Sequence, residues 1–425
     1  MSAGPSRRTV LRIAGAASLS LAAPHVARGQ SAGRVVVVGG GFGGATCARY
    51  LRALAPEIGV TLVEEHDSFV TCPFSNTVIA GLNGMDFITH GFDGLAGAGV
   101  TVVRGRVASI DADGGQVVLA DGSSVSFDRL VVSPGVDFKW GTIEGYDPET
   151  AEIMPHAWKA GPQTGILRRQ LEDMEDGGVF LMSIPVNPFR CPPGPYERAS
   201  LVAHYLKTHK PRSKIVLIDA KDSFSKQPLF MEGWEQLYPG MIEWLPFADT
   251  GYVLRVEPET KTVVSEFGRH SGDVVNLIPP QRAADLAVDG GLTDGDEWCR
   301  IDQRTFESAV MPGVHVLGDA AIAGAMPKSG FSASSQGKSC ALALAAILQD
   351  EEPPEPSLIN TCYSLVAPDY GISVADVFHL ADDGTLKAVE GAGGVSPPNA
   401  GPEFRASEAD YARGWYRSMM TDLYG

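Results

Sequence analysis

The chain has 425 residues, 44% hydrophobic and 20% charged, which excludes a disordered protein and leaves room for two or three domains. Its formal charge of −17 excludes the basic surface that nucleic acid or anionic lipid would require. Its 49 glycines point to many tight turns and close backbone approaches.

In chain order, the first feature is Ser6-Arg7-Arg8-Thr9-Val10-Leu11-Arg12, a twin-arginine pattern, followed by apolar Ile13 to Ala23 and then Pro24. That run is far short of the roughly 20 residues that span a bilayer. Residues 1–30 are therefore expected to be a cleaved twin-arginine export signal. The expected destination is the periplasm, without membrane insertion. Arg7, Arg8, Arg12 and Arg28 lie in this segment and no acid does, so its removal takes the formal charge from −17 to −21.

Arg34 to Val38 reads as a buried strand entering Gly39-Gly40-Gly41-Phe42-Gly43-Gly44. A helical stretch from Ala45 to Ala53 follows, then a second strand, Val60-Thr61-Leu62-Val63-Glu64. Strand, glycine turn, helix, strand and terminal acid form the dinucleotide fingerprint. Gly39 permits the tight turn, Gly41 lets the backbone approach a pyrophosphate, and Gly44 lets helix and strand pack closely. The helix N-terminus faces the phosphates, and Glu64 is placed to accept from the adenosine ribose. The fingerprint alone does not separate FAD from NAD.

Two later segments favour FAD. Leu130 to Gly135 reads as a buried strand ending in a turn, and Val314 to Ala320 as another, ending in Gly318-Asp319. In two-domain flavoproteins such a pair closes the cofactor site, the aspartate reaching the ribityl chain. A helix near Ser332 to Leu348 follows, and its N-terminus can stabilise negative charge on reduced flavin. The flavin domain is thus expected at 31–150 and 273–349, split by an insertion.

The insertion, 151–272, repeats the βαβ plan. Helices are expected over Gln163 to Met174 and Ala199 to Lys207, with strands at Gly178 to Ile184 and Lys214 to Asp219. The turn between the strands, Pro185 to Pro195, holds five prolines and one glycine. Proline has no N–H to offer a phosphate and blocks close approach, so this domain is expected to have lost nicotinamide binding. An acidic, proline-rich linker, Asp350 to Pro356, leads into a C-terminal unit over 350–425. There Tyr411, Trp415, Met419 and Leu423 recur every four residues as one apolar helical face. The expected architecture is α/β: two Rossmann-like dinucleotide-binding domains, one splitting the other, plus a smaller C-terminal domain.

Six cysteines occur: Cys47, Cys72, Cys191, Cys299, Cys340 and Cys362. No Cys-x-x-Cys or histidine-rich spacing suggests zinc or an iron–sulfur cluster, and no Cys-x-x-Cys-His suggests attached haem, so no metal site is expected. Spacing does not choose among the possible disulfide pairings. Cys191 lies in the proline-rich turn just before a helix, where a helix N-terminus depresses thiol pKa. Cys47 and Cys340 fall in helical runs and read as core residues.

Over nearly its whole length after residue 30 the chain resembles the flavoprotein subunit of flavocytochrome c sulfide dehydrogenase. The stretches that carry this are Val35 to Gly41, Thr71-Cys72, Phe189 to Ala199, Asn276 to Ala283, Met326 to Gly330 and Asn360 to Ser364. The resemblance implies that Cys191 and Cys362 form a redox-active disulfide beside FAD, and that Cys72 joins the flavin 8α carbon by a thioether. Here Pro73 and Phe74 follow Cys72, where the family often has an aromatic residue immediately. Lys328, in its shared stretch, is expected at the cofactor. The implied activity is oxidation of hydrosulfide to sulfur or polysulfide, with electrons passed to a c-type cytochrome subunit or soluble cytochrome c. Glu197, six residues after Cys191, is read either as a proton carrier or as an acid complementing a helix dipole. The competing readings are a sulfide:quinone oxidoreductase and a non-catalytic FAD protein.

Overall fold

The structure, a computed structural model, describes residues 33–425; the twin-arginine segment lies outside the described residues. The chain enters as β1 (Arg34–Val38), α1 (Phe42–Leu54) and β2 (Gly59–Glu64), and continues through β3 (Thr101–Arg104) and β4 (Arg129–Val132). The second unit holds α2 (Pro162–Asp173), β5 (Val179–Ile184), α3 (Gly194–His209), β6 (Lys214–Asp219), α4 (Gln227–Leu237), β7 (Ile242–Leu245) and β8 (Val274–Leu277). The chain then returns as β9 (Val314–Val316) and α5 (Gly330–Ile347). It ends in β10 (Ser357–Ala367), β11 (Tyr370–Leu380) and α6 (Pro402–Tyr424).

Two parallel sheets organise these elements. The first runs β9-β4-β1-β2-β3 and the second β7-β6-β5-β8. Both arise from short β-branched runs buried on both faces, as helix-covered parallel strands must be: Val35, Val36, Val37 and Val38 are all buried. The first sheet is split in sequence, β9 pairing with β4 in register Val314↔Leu130. The architecture is the α/β one expected, with two Rossmann-like sheets.

Three local features differ from the sequence reading. The second sheet extends past residue 272, because β8 pairs with β5 in parallel (Phe180↔Val274). A strand of only four residues carries no local mark of which sheet it joins. Helix α3 begins at Gly194, five residues before the expected Ala199, with Pro195 in its first turn. Proline fits there because a first-turn N–H has no helical partner to lose. On α6, Tyr411 is 62% exposed and lies outside the packed face, which is formed by Ala412, Tyr416, Met419, Met420 and Leu423. A four-residue step overshoots one helical turn by about 40°, so a stripe so spaced winds off the face within three steps.

The C-terminal unit braces both domains. Tyr416, Met420, Leu423 and Tyr424 join the core of the first sheet, while Val366, Tyr370 and Ile372 join that of the second. β10, with Cys362 midway along it, packs against α5 of the first unit and α3 of the second.

Candidate active site

At one end of the site the glycine turn forms a tight cradle. Gly39 has φ +96°, and a Cβ there would lie 2.4 Å from the Ser133 carbonyl oxygen. At Gly44 a Cβ would lie 1.9 Å from the Gly39 carbonyl oxygen, so only glycine lets α1 approach β1. Gly41 is the N-cap of α1, and no side chain caps it, leaving the first-turn N–H groups to an anion. Glu64 ends β2 beside this turn; its carboxylate accepts from the Gly40 N–H at 2.6 Å and the His66 N–H at 3.0 Å.

Asp319 sits on the short turn Gly318–Ala320 that follows β9. Its carboxylate is buried, Oδ1 has no hydrogen-bond partner, and Oδ2 lies 4.0 Å from Arg190 Nε. Burial raises the Asp319 carboxyl above its ordinary range, against Arg190 and Lys328. A buried acceptor without a donor is costly, and a polyhydroxyl chain would satisfy it. The glycine cradle and this orphan acceptor fit FAD. Lys328 does not aim a free ammonium at the site. Its Nζ donates to the Asp319 carbonyl at 2.7 Å and the Ala321 carbonyl at 2.9 Å, over the Trp298 ring at 3.8 Å. It braces the loop that carries Asp319.

The sulfur end is assembled from three segments. Cys72 precedes the short helix Ser75–Ile79, and its Sγ lies 3.5 Å from the Trp158 carbonyl. Thr71 Oγ1 and the Tyr416 hydroxyl are 2.7 Å apart, tying this loop to α6. Cys191 has φ +58°, and its N–H donates to the Lys328 carbonyl at 2.8 Å, fixing the proline-rich turn against the flavin domain. A Cβ on Gly194 would come within 2.8 Å of the Trp158 ring and 3.0 Å of Cys191 Sγ, so glycine is needed where α3 begins. Cys362 Sγ lies 3.5 Å from Asn360 Nδ2, and Asn360 Oδ1 accepts from Ser329 and Ser332 at the start of α5. All six cysteines are free thiols in this structure. Cys47, Cys299 and Cys340 are buried in the first core.

The helix-start expectation for Cys191 does not hold. Burial pushes its thiol pKa well up, and the neighbouring Cys362 and Glu197 push the same way, while Lys226 opposes them. Desolvation outweighs the dipole because α3 starts three residues later and the Cys191 N–H is already committed to Lys328.

Glu197 lies in the first turn of α3 but does more than face its dipole. Its Oε1 accepts from the Leu365 N–H at 2.9 Å on the Cys362 strand, and its Oε2 from Asn76 Nδ2 at 2.8 Å. Burial raises its carboxyl, while these donors, Lys226 and Arg198 pull it back down. Asn76 is oriented by Arg198, whose Nε donates to Asn76 Oδ1 at 3.0 Å. Arg198 is itself buried, donating to the His156 and Ala157 carbonyls and to Asn276 Oδ1. Sequence reasoning missed Asn76, Arg198, Lys226 and Asn360; only Arg198 and Asn360 fell within a stretch that carried the resemblance.

The acid that ends the second domain's β6 is engaged by the chain itself. Asp219, at the end of β6 where a dinucleotide domain places its ribose acid, is fully buried. It accepts from the Tyr196 hydroxyl, Lys221 Nζ and Trp244 Nε1, and the Tyr196 ring stacks on Phe224 with centroids 3.6 Å apart. A cavity of about 590 Å³ remains between the domains, lined by Pro188, Phe189, Lys221, Phe224, Trp298 and Met326 among others.

Two dinucleotide-type sheets, a glycine cradle and an orphaned buried aspartate define an FAD-dependent oxidoreductase, and the pyridine nucleotide-disulphide oxidoreductase model matches residues 33–171. The model of the sulfide dehydrogenase [flavocytochrome c] flavoprotein chain, central, matches 164–279. That of the flavocytochrome c sulphide dehydrogenase flavin-binding domain matches 354–424. The sulfide dehydrogenase [flavocytochrome c] flavoprotein chain of Chlorobaculum thiosulfatiphilum is 73% identical over 45 residues, 11% of this chain and 94% of that sequence. The chain belongs to the family of flavoprotein chains of flavocytochrome c sulfide dehydrogenase. The mitochondrial sulfide:quinone oxidoreductase of Mus musculus is 21% identical over 305 residues, 67% of this chain and 65% of that one. The solved sulfide:quinone oxidoreductase of Aquifex aeolicus shares the fold, with a TM-score of 0.73 at 16% identity and 92% of both chains covered.

Proposed function

We propose that this flavoprotein oxidises hydrosulfide at a Cys191–Cys362 disulfide and delivers the electrons through FAD to a c-type cytochrome. The observation that carries the reading is the convergence on one carboxylate. Glu197, on the helix that follows Cys191, is hydrogen-bonded to the Leu365 amide of the strand that carries Cys362. Hydrosulfide would attack one sulfur of the disulfide, breaking that bond and leaving a persulfide on one cysteine and a thiolate on the other. A second hydrosulfide would release the persulfide sulfur as disulfide anion. The resulting dithiol would close again as its two electrons leave. FAD supplies an acceptor that takes two electrons together and returns them singly.

The chain's residues have distinct tasks in this scheme. Asp319 binds the ribityl chain, Gly39, Gly41 and Gly44 the pyrophosphate, and Glu64 the adenosine ribose, once its carboxylate turns from Gly40. Cys72 holds the flavin covalently through the 8α carbon. Glu197 takes the proton of the incoming hydrogen sulfide species. The engaged Asp219 carboxylate and the proline-rich turn support a second domain without nicotinamide. The division into 31–150 with 273–349, 151–272 and 350–425 follows the same scheme, with the second sheet's edge moved to Leu277.

The twin-arginine leader supports a periplasmic location, and an acidic surface supports a basic cytochrome partner. Among the described residues no helix is long and apolar enough to cross a membrane. The apolar face of α6 is spent on the core, which favours a cytochrome acceptor over a membrane quinone. Sulfide-dependent reduction of cytochrome c by the purified flavoprotein tests the reading; reduction of a quinone alone would refute the acceptor.

A further inference from the structure

Lys226 is buried, stands at the N-cap of α4 with φ +60°, and makes no ion pair among the described residues. Its Nζ donates to the Cys362 carbonyl at 2.8 Å and to Ser364 Oγ at 2.8 Å, and it lies over the Phe230 ring at 5.8 Å. The charged and titratable groups facing it are Cys191 from the proline-rich turn, Glu197 from α3, Cys362 from β10 and Glu408 from α6. Ser364 and the Cys362 carbonyl use two of the three donors of an ammonium. A buried cation without an ion-pair partner is costly, and the cost falls when an anion arrives beside it.

We propose that Lys226 is a positioning residue for sulfide attack: it fixes the Cys362 strand and neutralises the negative charge that hydrosulfide brings to the cysteine pair. This rests on the reading of Cys191 and Cys362 as the attacked disulfide. In that step one sulfur–sulfur bond breaks and another forms, and the charge of hydrosulfide ends on the leaving thiolate. The buried site thereby goes from no net charge on the sulfurs to one negative charge. Cys191 is desolvated and has Glu197 nearby, both of which oppose that charge. Lys226, bonded to the Cys362 carbonyl, favours it, as do Arg190 and Arg198. Burial lowers its ammonium to about 8, so it is charged at neutral pH and loses its charge as the solution becomes more alkaline.

The test uses the full-length, FAD-loaded protein as wild type, Lys226→Met, Lys226→Arg and Ser364→Ala. Iodoacetamide alkylation of the reduced cysteine pair against pH reads its apparent thiol pKa without any sulfide turnover. In Lys226→Met this pKa should rise by about one unit or more, and kcat/KM for sulfide near pH 7 should fall about 10- to 100-fold. Lys226→Arg should recover both to within about threefold, and Ser364→Ala should leave the thiol pKa unchanged. A wild-type thiol pKa in Lys226→Met overturns the proposal, as does a loss in Ser364→Ala equal to that in Lys226→Met. If Lys226→Met fails to bind FAD, the arginine variant decides. Its higher pKa should abolish the alkaline decline in kcat/KM above about pH 8, and persistence of that decline would overturn the proposal. Failure of the underlying reading looks different: Cys191→Ser would then keep sulfide turnover whatever Lys226 does.

Discussion

The carboxylate of Glu197 accepts the backbone N–H of Leu365 at 2.9 Å, and so joins the helix following Cys191 to the strand carrying Cys362 across 168 residues of sequence. Its second oxygen accepts from Asn76 Nδ2 at 2.8 Å. That geometry makes the residue a tie between the two cysteine-bearing segments.

Glu197 gives the first prediction. Burial raises its carboxyl above the ordinary 4.5, and a base works only when ionised. The rate of sulfide-driven flavin reduction should therefore fall as pH drops through this raised pKa. Glu197→Gln should remove that acid limb and lower kcat/KM about 10²- to 10⁴-fold. An unchanged acid limb in the variant would assign the limb to another group.

Flavin attachment gives the second. Wild-type protein, denatured in acid and filtered, should retain its yellow colour with the polypeptide. Cys72→Ser should release flavin into the filtrate while still binding it when folded, because the glycine cradle and Asp319 are untouched. Stoichiometric free flavin from the wild type would rule out the thioether.

Nicotinamide gives the third. Asp219 already accepts three donors from the chain, among them the hydroxyl of Tyr196, whose ring stacks on Phe224. NADH at micromolar concentration should bleach the flavin no faster than buffer does. Rapid bleaching would show that the second domain still binds the dinucleotide.

The parts legible in sequence are those whose signal is local. The run of valines into Gly39, the acid at Glu64 and the Gly318-Asp319 pair each announce themselves within a few residues, and the first sheet follows from them as the second does from the runs Gly178 to Ile184 and Lys214 to Asp219. The boundary at β8 was not legible because Val274–Leu277 is short and only its partner strand decides its domain. Asn76, Arg198 and Lys226 were not legible either. Each is a common surface residue type whose role depends on partners remote in sequence, as Arg198 with Asn76 and Asn276 and Lys226 with Ser364. The thiol of Cys191 was misjudged because helix proximity can be read from sequence whereas desolvation cannot.

The central claim is that sulfide is oxidised at the Cys191–Cys362 pair and not directly at the flavin. The most direct measurement is sulfide-driven cytochrome c reduction by wild type, Cys191→Ser and Cys362→Ser, each checked for bound FAD. The account predicts that both variants keep FAD and lose activity by several powers of ten, as when a covalent step is removed. Wild-type rates in either variant would contradict it.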